Sequence, residues 1–306
     1  MPDLWKNRYN HESLSKVAHD IQAVYPQFQA DGFLSSIMDE TWDGLELKDR
    51  IYRISENLRK YLPEDYGEAI GVIDKVVMNY GSWLESFGIF FTIFVQLYGL
   101  DEADWETSVT ALERYTPYAS AEGPVRPFIL KDEKRMMAQM LDWSRHENEH
   151  VRRLASEGCR PALPWHQALT GFKKDPSPIL PILTQLKTDP SIHVRKSVAN
   201  NLNDISKTHP ELVIEITKEW YGKNEYTDWI VKHGCRTLLK QGNREALAIF
   251  GCDDVTSIEI EDFAIGAPSV SIGEEFTFSF TISAKTAAKA RLEYGIDYMK
   301  SNGRRN

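Results

Sequence analysis

Residues 189–207 read DPSIHVRKSVANNLNDISK, and the segment VRKSVANN that starts at Val194 has counterparts along the chain. They are VRRLASEG from Val151, VKHGCRTL from Val231 and, more faintly, VTALERYT from Val109, with successive starts 42, 43 and 37 residues apart. A period near 40 with two helices per unit predicts stacked helix pairs, because one unit cannot bury its apolar face alone and must lay it on the next. The intervening segments agree. ILPILTQLK places Ile179, Ile182, Leu183 and Leu186 at i, i+3, i+4 and i+7, and IVKHGCRTLLKQG places Val231, Cys235, Leu238 and Leu239 on one helical face.

Outward from these repeats the chain is helical by pattern from its start to about residue 250, with runs such as LKDRIYRISENLRKYL and SWLESFGIFFTIFVQLYG. The expected fold is mainly α, a HEAT-like α-α superhelical solenoid over residues 1–252. After Cys252 the period changes to two, in TSIEIEDFAI, SVSIGEEFTFSFTISA and AKARLEYGIDYMK, where Phe276, Phe278 and Phe280 alternate with Thr and Ser as in a half-buried strand. Residues 253–306 are about half of an immunoglobulin-like domain, so a short, incomplete C-terminal β-sandwich segment with open sheet edges is expected there.

With 306 residues, 42% hydrophobic and 26% charged, the composition excludes a disordered or fibrous chain. The most apolar run, FGIFFTIFVQLYGL, is interrupted by Gln96 and reads as a buried core helix rather than a membrane span. The N-terminal MPDLWKNRYNHES carries no charged-then-apolar export signal. The expectation is a cytoplasmic monomer with no membrane partner. Cys159, Cys235 and Cys252 are too far apart for a local metal clip and too few for a disulfide framework, which leaves reduced, mostly buried thiols.

The net charge of −9 argues at first against a nucleic-acid partner, but it is unevenly spread. Residues 126–250 carry 20 Lys and Arg against 15 Asp and Glu, while the other 181 residues carry 16 against 30. Arg152 and Arg153, Arg195 and Lys196, and Lys232 and Arg236 recur at matching repeat positions. Since the second helix of each pair lines the concave side of a solenoid, they predict a positive stripe suited to phosphates. The competing reading is that an arginine at this repeat position bonds the neighbouring repeat.

The loudest motif is HENEH, His146 to His150, which matches the H-E-x-x-H zinc helix. Its polar interior, the absence of a third ligand at the usual spacing, and its place where one helix should turn into the next all weaken it. No phosphate-binding glycine loop, dinucleotide fingerprint, serine-nucleophile elbow or C-x-x-C pair is present. Trp165 in RPALPW sits in an inter-helix segment, where an aromatic can stack on a base or a cation or simply pack. Asp204 and Glu122 each read alone as a helix cap or a solvated carboxylate.

The strings ASAEGPVRPFI, HVRRLASEGCRPALPW, DPSIHVRKSVANNLNDISKTHP and WIVKHGCRTLLKQG together resemble the AlkC-type DNA alkylation repair glycosylases, relatives of the AlkD type built of HEAT-like repeats. Four separated segments match in order, most strongly over residues 105–250, and the β tail is similar to the immunoglobulin-like domain of one subgroup. The resemblance implies a monofunctional glycosylase that removes 3-methyladenine, 3-methylcytosine and 1-methyladenine from double-stranded DNA without drawing the base into a deep pocket. It implies no cofactor or metal.

Residue by residue, Glu122 matches the acidic position of the S-A-E segment, Trp165 the tryptophan of R-P-x-L-P-W, and Asp204 the aspartate of N-L-N-D-I-S. An N3-alkylated base is cationic and already a good leaving group. Carboxylates that stabilise an oxocarbenium-like sugar, and an aromatic face turned to the cation, would therefore suffice. The resemblance makes Arg152, Arg153, Arg160, Arg195, Lys196, Lys232, Arg236 and Lys240 the phosphate-gripping set. It departs at Gly123-Pro124, where the family pattern has an apolar and then a small residue, and proline's restriction of its neighbour bears on where Glu122 points. For such an enzyme Trp165 and Asp204 should open onto one cleft flanked by Arg152 and Lys232. A non-catalytic repeat scaffold that binds DNA or protein would not need Trp165, Asp204 and Glu122 to converge, and a zinc hydrolase would need His146 and His150 on one helical face.

Overall fold

Caps and apolar stripes that the sequence carries become helices in the computed structural model, which describes residues 4–80, 87–252, 258–271 and 273–287, with 289, 290, 292, 294–296, 303 and 304. The chain divides into two compact units, Met1–Ile205 and Ser206–Asn306. In the first lie α1 (His11–Val24), α2 (Ala30–Ile37), α3 (Leu47–Tyr61), α4 (Tyr66–Tyr80), α5 (Ile89–Tyr98) and α6 (Trp105–Tyr115). They are followed by α7 (Arg126–Lys131), α8 (Glu133–Trp143), α9 (Glu149–Gly158), α10 (Thr170–Lys174), α11 (Leu180–Leu186) and α12 (Ile192–Ile205).

The repeat seen in the sequence is carried by α8–α9 and α11–α12: α9 packs along α12 while α8 meets α11. Asn148 caps α9, its side chain accepting the His150 amide at 2.8 Å. Leu154 and Ala155 of α9 and Val194, Val198 and Leu202 of α12 are buried in the resulting core. Small polar side chains fill the seam between the two helices: Ser156 Oγ donates to Ser197 Oγ at 2.5 Å, and Asn201 Nδ2 donates to the Ser156 carbonyl at 2.8 Å. Gly158 lets α9 approach closely, since a Cβ there would stand 2.6 Å from Val125 Cγ1 and 2.9 Å from Met140 Cε. The run FGIFFTIF forms the buried helix expected of it, with Phe90, Phe91 and Phe94 of α5 enclosed. Among the described residues no helix is long and apolar enough to cross a membrane.

The second unit holds α13 (Pro210–Trp220), α14 (Glu225–Gly234), α15 (Arg236–Lys240) and α16 (Arg244–Ile249), then β1 (Ile258–Ile265) and β2 (Phe278–Ala284). The strands pair antiparallel with Ile258 opposite Ala284 and Ile265 opposite Phe278, and the register slips between Glu261 and Ala264. Asp262 takes a positive φ of 54° at that slip. The second alternating run becomes strand only from Phe278, and most of the third, 288–300, lies outside the described residues. Ile260, Phe263, Ile265 and Ile282 are exposed on this two-stranded sheet.

The α9–α12 seam fixes the geometry described below, so it is the place to test the fold. Leu154→Ala should lower stability by about 2–5 kcal/mol in urea denaturation, because a fully enclosed leucine leaves a cavity. A change within about 0.5 kcal/mol, typical of a surface position, would contradict the packing.

Candidate catalytic site

Arg153 and Glu157 lie on one face of α9 at i and i+4, and Arg160 follows just past the end of that helix. The fold brings a carboxylate to each end of that row. Arg153 Nη2 lies 3.1 Å from Glu122 Oε1 and 4.0 Å from Glu157 Oε1. Arg160 donates to Glu157 Oε1 at 2.5 Å and, through Nε and Nη2, to Asp204 Oδ2 at 2.9 Å. Glu122, Arg153, Glu157, Arg160 and Asp204 therefore form one continuous chain of alternating charge, three carboxylates held by two guanidiniums. Among its carboxylates exposure falls from 16% for the Glu122 side chain to 2% for that of Asp204.

Glu122 sits in the turn that leads into α7, where the Val125 amide donates to the Ala121 carbonyl and the Arg126 amide to that of Gly123. Its carboxylate also accepts from Ser120 Oγ. The Gly123-Pro124 departure does not turn Glu122 away from the row. Glycine at 123 answers a close approach instead, since a Cβ there would run into the His166 ring. Behind the row the buried Arg126 donates to the carbonyls of Gly158 at 2.8 Å, Arg160 at 2.9 Å and Gln167 at 2.9 and 2.6 Å. Burial lowers its pKa to about 10, so it stays charged at neutral pH. Burial works against the charge of Arg160 too, yet Glu157 and Asp204 hold its pKa above the ordinary arginine value.

Trp165 is presented by the loop between α9 and α10, with its side chain exposed. It borders a cleft of about 260 Å³ whose wall includes Lys48 and Tyr52 of α3, Gln96 of α5, Gly123 and His166. Asp204 is not on that wall. The cleft that Trp165 borders therefore does not include Asp204, which is buried. Asp204 is enclosed, with its carboxylate on the guanidinium of Arg160.

The recurring arginines divide by partner. Arg152 bonds Asp189 of the next repeat at 2.6 and 3.2 Å and the carbonyls of His146 and Glu147. Arg195 donates to the carbonyls of Asp189 and Pro190. Arg152 follows the structural reading of that repeat position, whereas Arg195 bonds the turn of its own repeat, and Arg160 is a buried holding cation rather than an accessible phosphate contact. Lys196 is exposed in the first unit; in the second, Lys232 and Lys240 are exposed and Arg236 donates to the His233 carbonyl. The HENEH segment does not form a zinc helix. His146 precedes α9 and its Nδ1 accepts the Asn148 amide, whereas His150 lies in the first turn against His193, ring centroids 5.5 Å apart. No group of three metal-ligating side chains occurs among the described residues. Cys159 is no nucleophile, because burial pushes its thiol up to about 12.

Comparison with known proteins places this geometry. The family model described as DNA alkylation repair enzyme matches residues 116–238, the span that contains the whole charged row. "Uncharacterized protein YhaZ" of Bacillus subtilis (strain 168) is 46% identical over 306 residues, covering 100% of this chain and 84% of its own length. The solved Pseudomonas fluorescens alkylpurine DNA glycosylase AlkC, bound to DNA containing an abasic site analog, is 36% identical with a TM-score of 0.78, covering 99% of this chain and 83% of its own. The chain belongs to the DNA alkylation repair enzyme family. Its fold is that of AlkC, and the C-terminal Ig-like domain of YhaZ matches residues 259–306, the segment that contains the hairpin.

Glu157 is the member of the charged row that the sequence reading missed. The signal was present, since VRRLASEGCR places charges of alternating sign on a helical face whose other residues are small or apolar. Arg160→Gln should destabilise the protein by about 3–5 kcal/mol in chemical denaturation, because it strands two enclosed carboxylates without their cation. A loss below about 1 kcal/mol, typical of an exposed ion pair, would show that the row is not held as described.

Proposed function

We propose that this member of the DNA alkylation repair family is a monofunctional DNA glycosylase. It hydrolyses the N-glycosidic bond of cationic alkylated bases, namely 3-methyladenine, 3-methylcytosine and 1-methyladenine, in double-stranded DNA. The observation that carries the reading is the row of carboxylates running from Glu122 through Glu157 to Asp204, beside a loop that exposes a tryptophan. A field of this kind serves a reaction whose transition state places positive charge on the sugar.

In the proposed reaction the bond from C1′ to the base nitrogen breaks and its electron pair leaves with the base, which departs neutral. A water oxygen then bonds C1′ and loses its proton to a carboxylate or to solvent. Asp204 stabilises the sugar cation and orients the water once the row opens toward DNA, Glu122 adds negative field from the exposed end, and Trp165 faces the cationic lesion. The guanidiniums between the carboxylates keep them in place at rest and limit the cost of enclosing them. Lys196, Lys232 and Lys240 take backbone phosphates. The helical repeats of residues 1–252 form the glycosylase domain and residues 253–306 the partial β domain, in a cytoplasmic monomer.

Single-turnover release of methylated bases from alkylated duplex DNA, run in EDTA, tests the reading. The unmodified protein should release 3-methyladenine or 3-methylcytosine, and Asp204→Asn should slow release by roughly a hundredfold or more while DNA affinity changes little. No release by folded protein that still binds DNA would favour the non-catalytic scaffold. Equal losses in binding and turnover would remove Asp204 from the chemical step.

A further inference from the structure

Trp165 is an anomaly on two counts. Its φ is +67°, in the left-handed region that a bulky side chain rarely occupies, and it is 78% exposed although it is the largest apolar residue type. Neither propensity nor the hydrophobic effect puts a tryptophan there. Such a conformation persists only where the surroundings over-determine it.

The surroundings do so at several points. The Leu169 amide donates to the Pro161 carbonyl at 3.2 Å and closes the loop at its base, and the His166 amide donates to Leu163 at 3.3 Å. Arg126 grips the Gln167 carbonyl with two nitrogens. The His166 ring is seated on Gly123, in space that any other residue there would fill. At the strained residue itself, the Trp165 carbonyl accepts from the ammonium of Lys48, a residue of α3 that is 117 positions away in the chain.

We propose that Lys48 is a positioning residue of the site: its ammonium fixes the Trp165 carbonyl, and with His166 seated on Gly123 it holds the indole outward in the orientation that meets the lesion. The inference rests on the role given to Trp165 above. It gives the acidic N-terminal part of the chain a place in recognition, through one cation that touches the loop and not the DNA. A neutral or shorter side chain at 48 leaves the carbonyl without its donor, and the tryptophan can then relax to an ordinary backbone conformation.

The test joins hydrogen–deuterium exchange of the free protein over residues 161–169 with single-turnover base release, for the unmodified chain, Lys48→Ala, Lys48→Arg, Trp165→Ala and the Lys48→Ala/Trp165→Ala pair. The proposal expects at least tenfold faster exchange of the loop amides in Lys48→Ala and its restoration in Lys48→Arg. Release by Lys48→Ala should fall toward the Trp165→Ala rate with DNA affinity nearly kept, and the double variant should be no slower than Trp165→Ala. Unchanged loop exchange in Lys48→Ala overturns the positioning role, as does a double variant whose loss is the product of the two single losses. Release by Trp165→Ala at the unmodified rate overturns the reading of Trp165 itself, and the role of Lys48 in recognition falls with it.

Discussion

The structure of the site depends on how three carboxylates are held in a poorly solvated seam between helices. An isolated carboxylate with the enclosure of Asp204 would be costly, and two acids left together without a cation would cost more. Arg160 meets this by bonding Glu157 with one nitrogen and Asp204 with two others, while Arg153 extends the row to Glu122. The guanidiniums reach these positions because α9 places residues 153 and 157 on one face and ends just before Arg160. The α9–α12 packing then brings Asp204 opposite Arg160, and the turn before α7 brings up Glu122. Removing the close contact at Gly158, or the Ser156–Ser197 seam, would disturb the charge pattern before it disturbed any single helix.

This arrangement would separate two demands that the proposed glycosylase reaction makes. Carboxylates are needed where positive charge develops on a sugar, yet in the resting protein nothing supplies that charge. The arginines supply it, and the enclosure that strengthens the field also requires the row to be fully paired. The tryptophan is treated in the opposite way, kept exposed and in a strained backbone by donors from Lys48 and Arg126. The buried acids meet Arg160, and the exposed aromatic lies in the Pro161–Leu169 loop that begins directly after it.

Much of the fold was legible because repetition leaves a period, and the recurrence at Val151 and Val194 corresponds to α9 and α12 packed along one another. The β hairpin was legible from its alternation, although its second strand starts later than the pattern suggests. The ends of the charged row, Glu122 and Asp204, were singled out through resemblance, as was Trp165, which stands on a cleft that does not include Asp204. Of the middle, Glu157 was missed and Arg153 and Arg160 were read as phosphate contacts, because contacts to carboxylates brought in from other segments leave no mark in the local sequence. Adjacent arginines showed a further limit. Arg152 turns to Asp189 and Arg153 to Glu122, and a repeat position alone does not say which carboxylate each of two neighbours faces. The contacts of Lys48 with Trp165 and of His166 with Gly123 join distant segments, and no spacing rule signals them.

The central claim is that the row works as one device, so that its two end carboxylates are not independent contributors. A double-mutant cycle on single-turnover base release, with Glu122→Gln, Asp204→Asn and the pair, measures this directly. The account predicts strong non-additivity, with the double variant within about tenfold of the slower single variant, as for residues that act as a unit. Losses that multiply, each substitution costing the same factor whether or not the other is present, would mean that Glu122 and Asp204 act separately and that the arginines between them serve only to hold the helices.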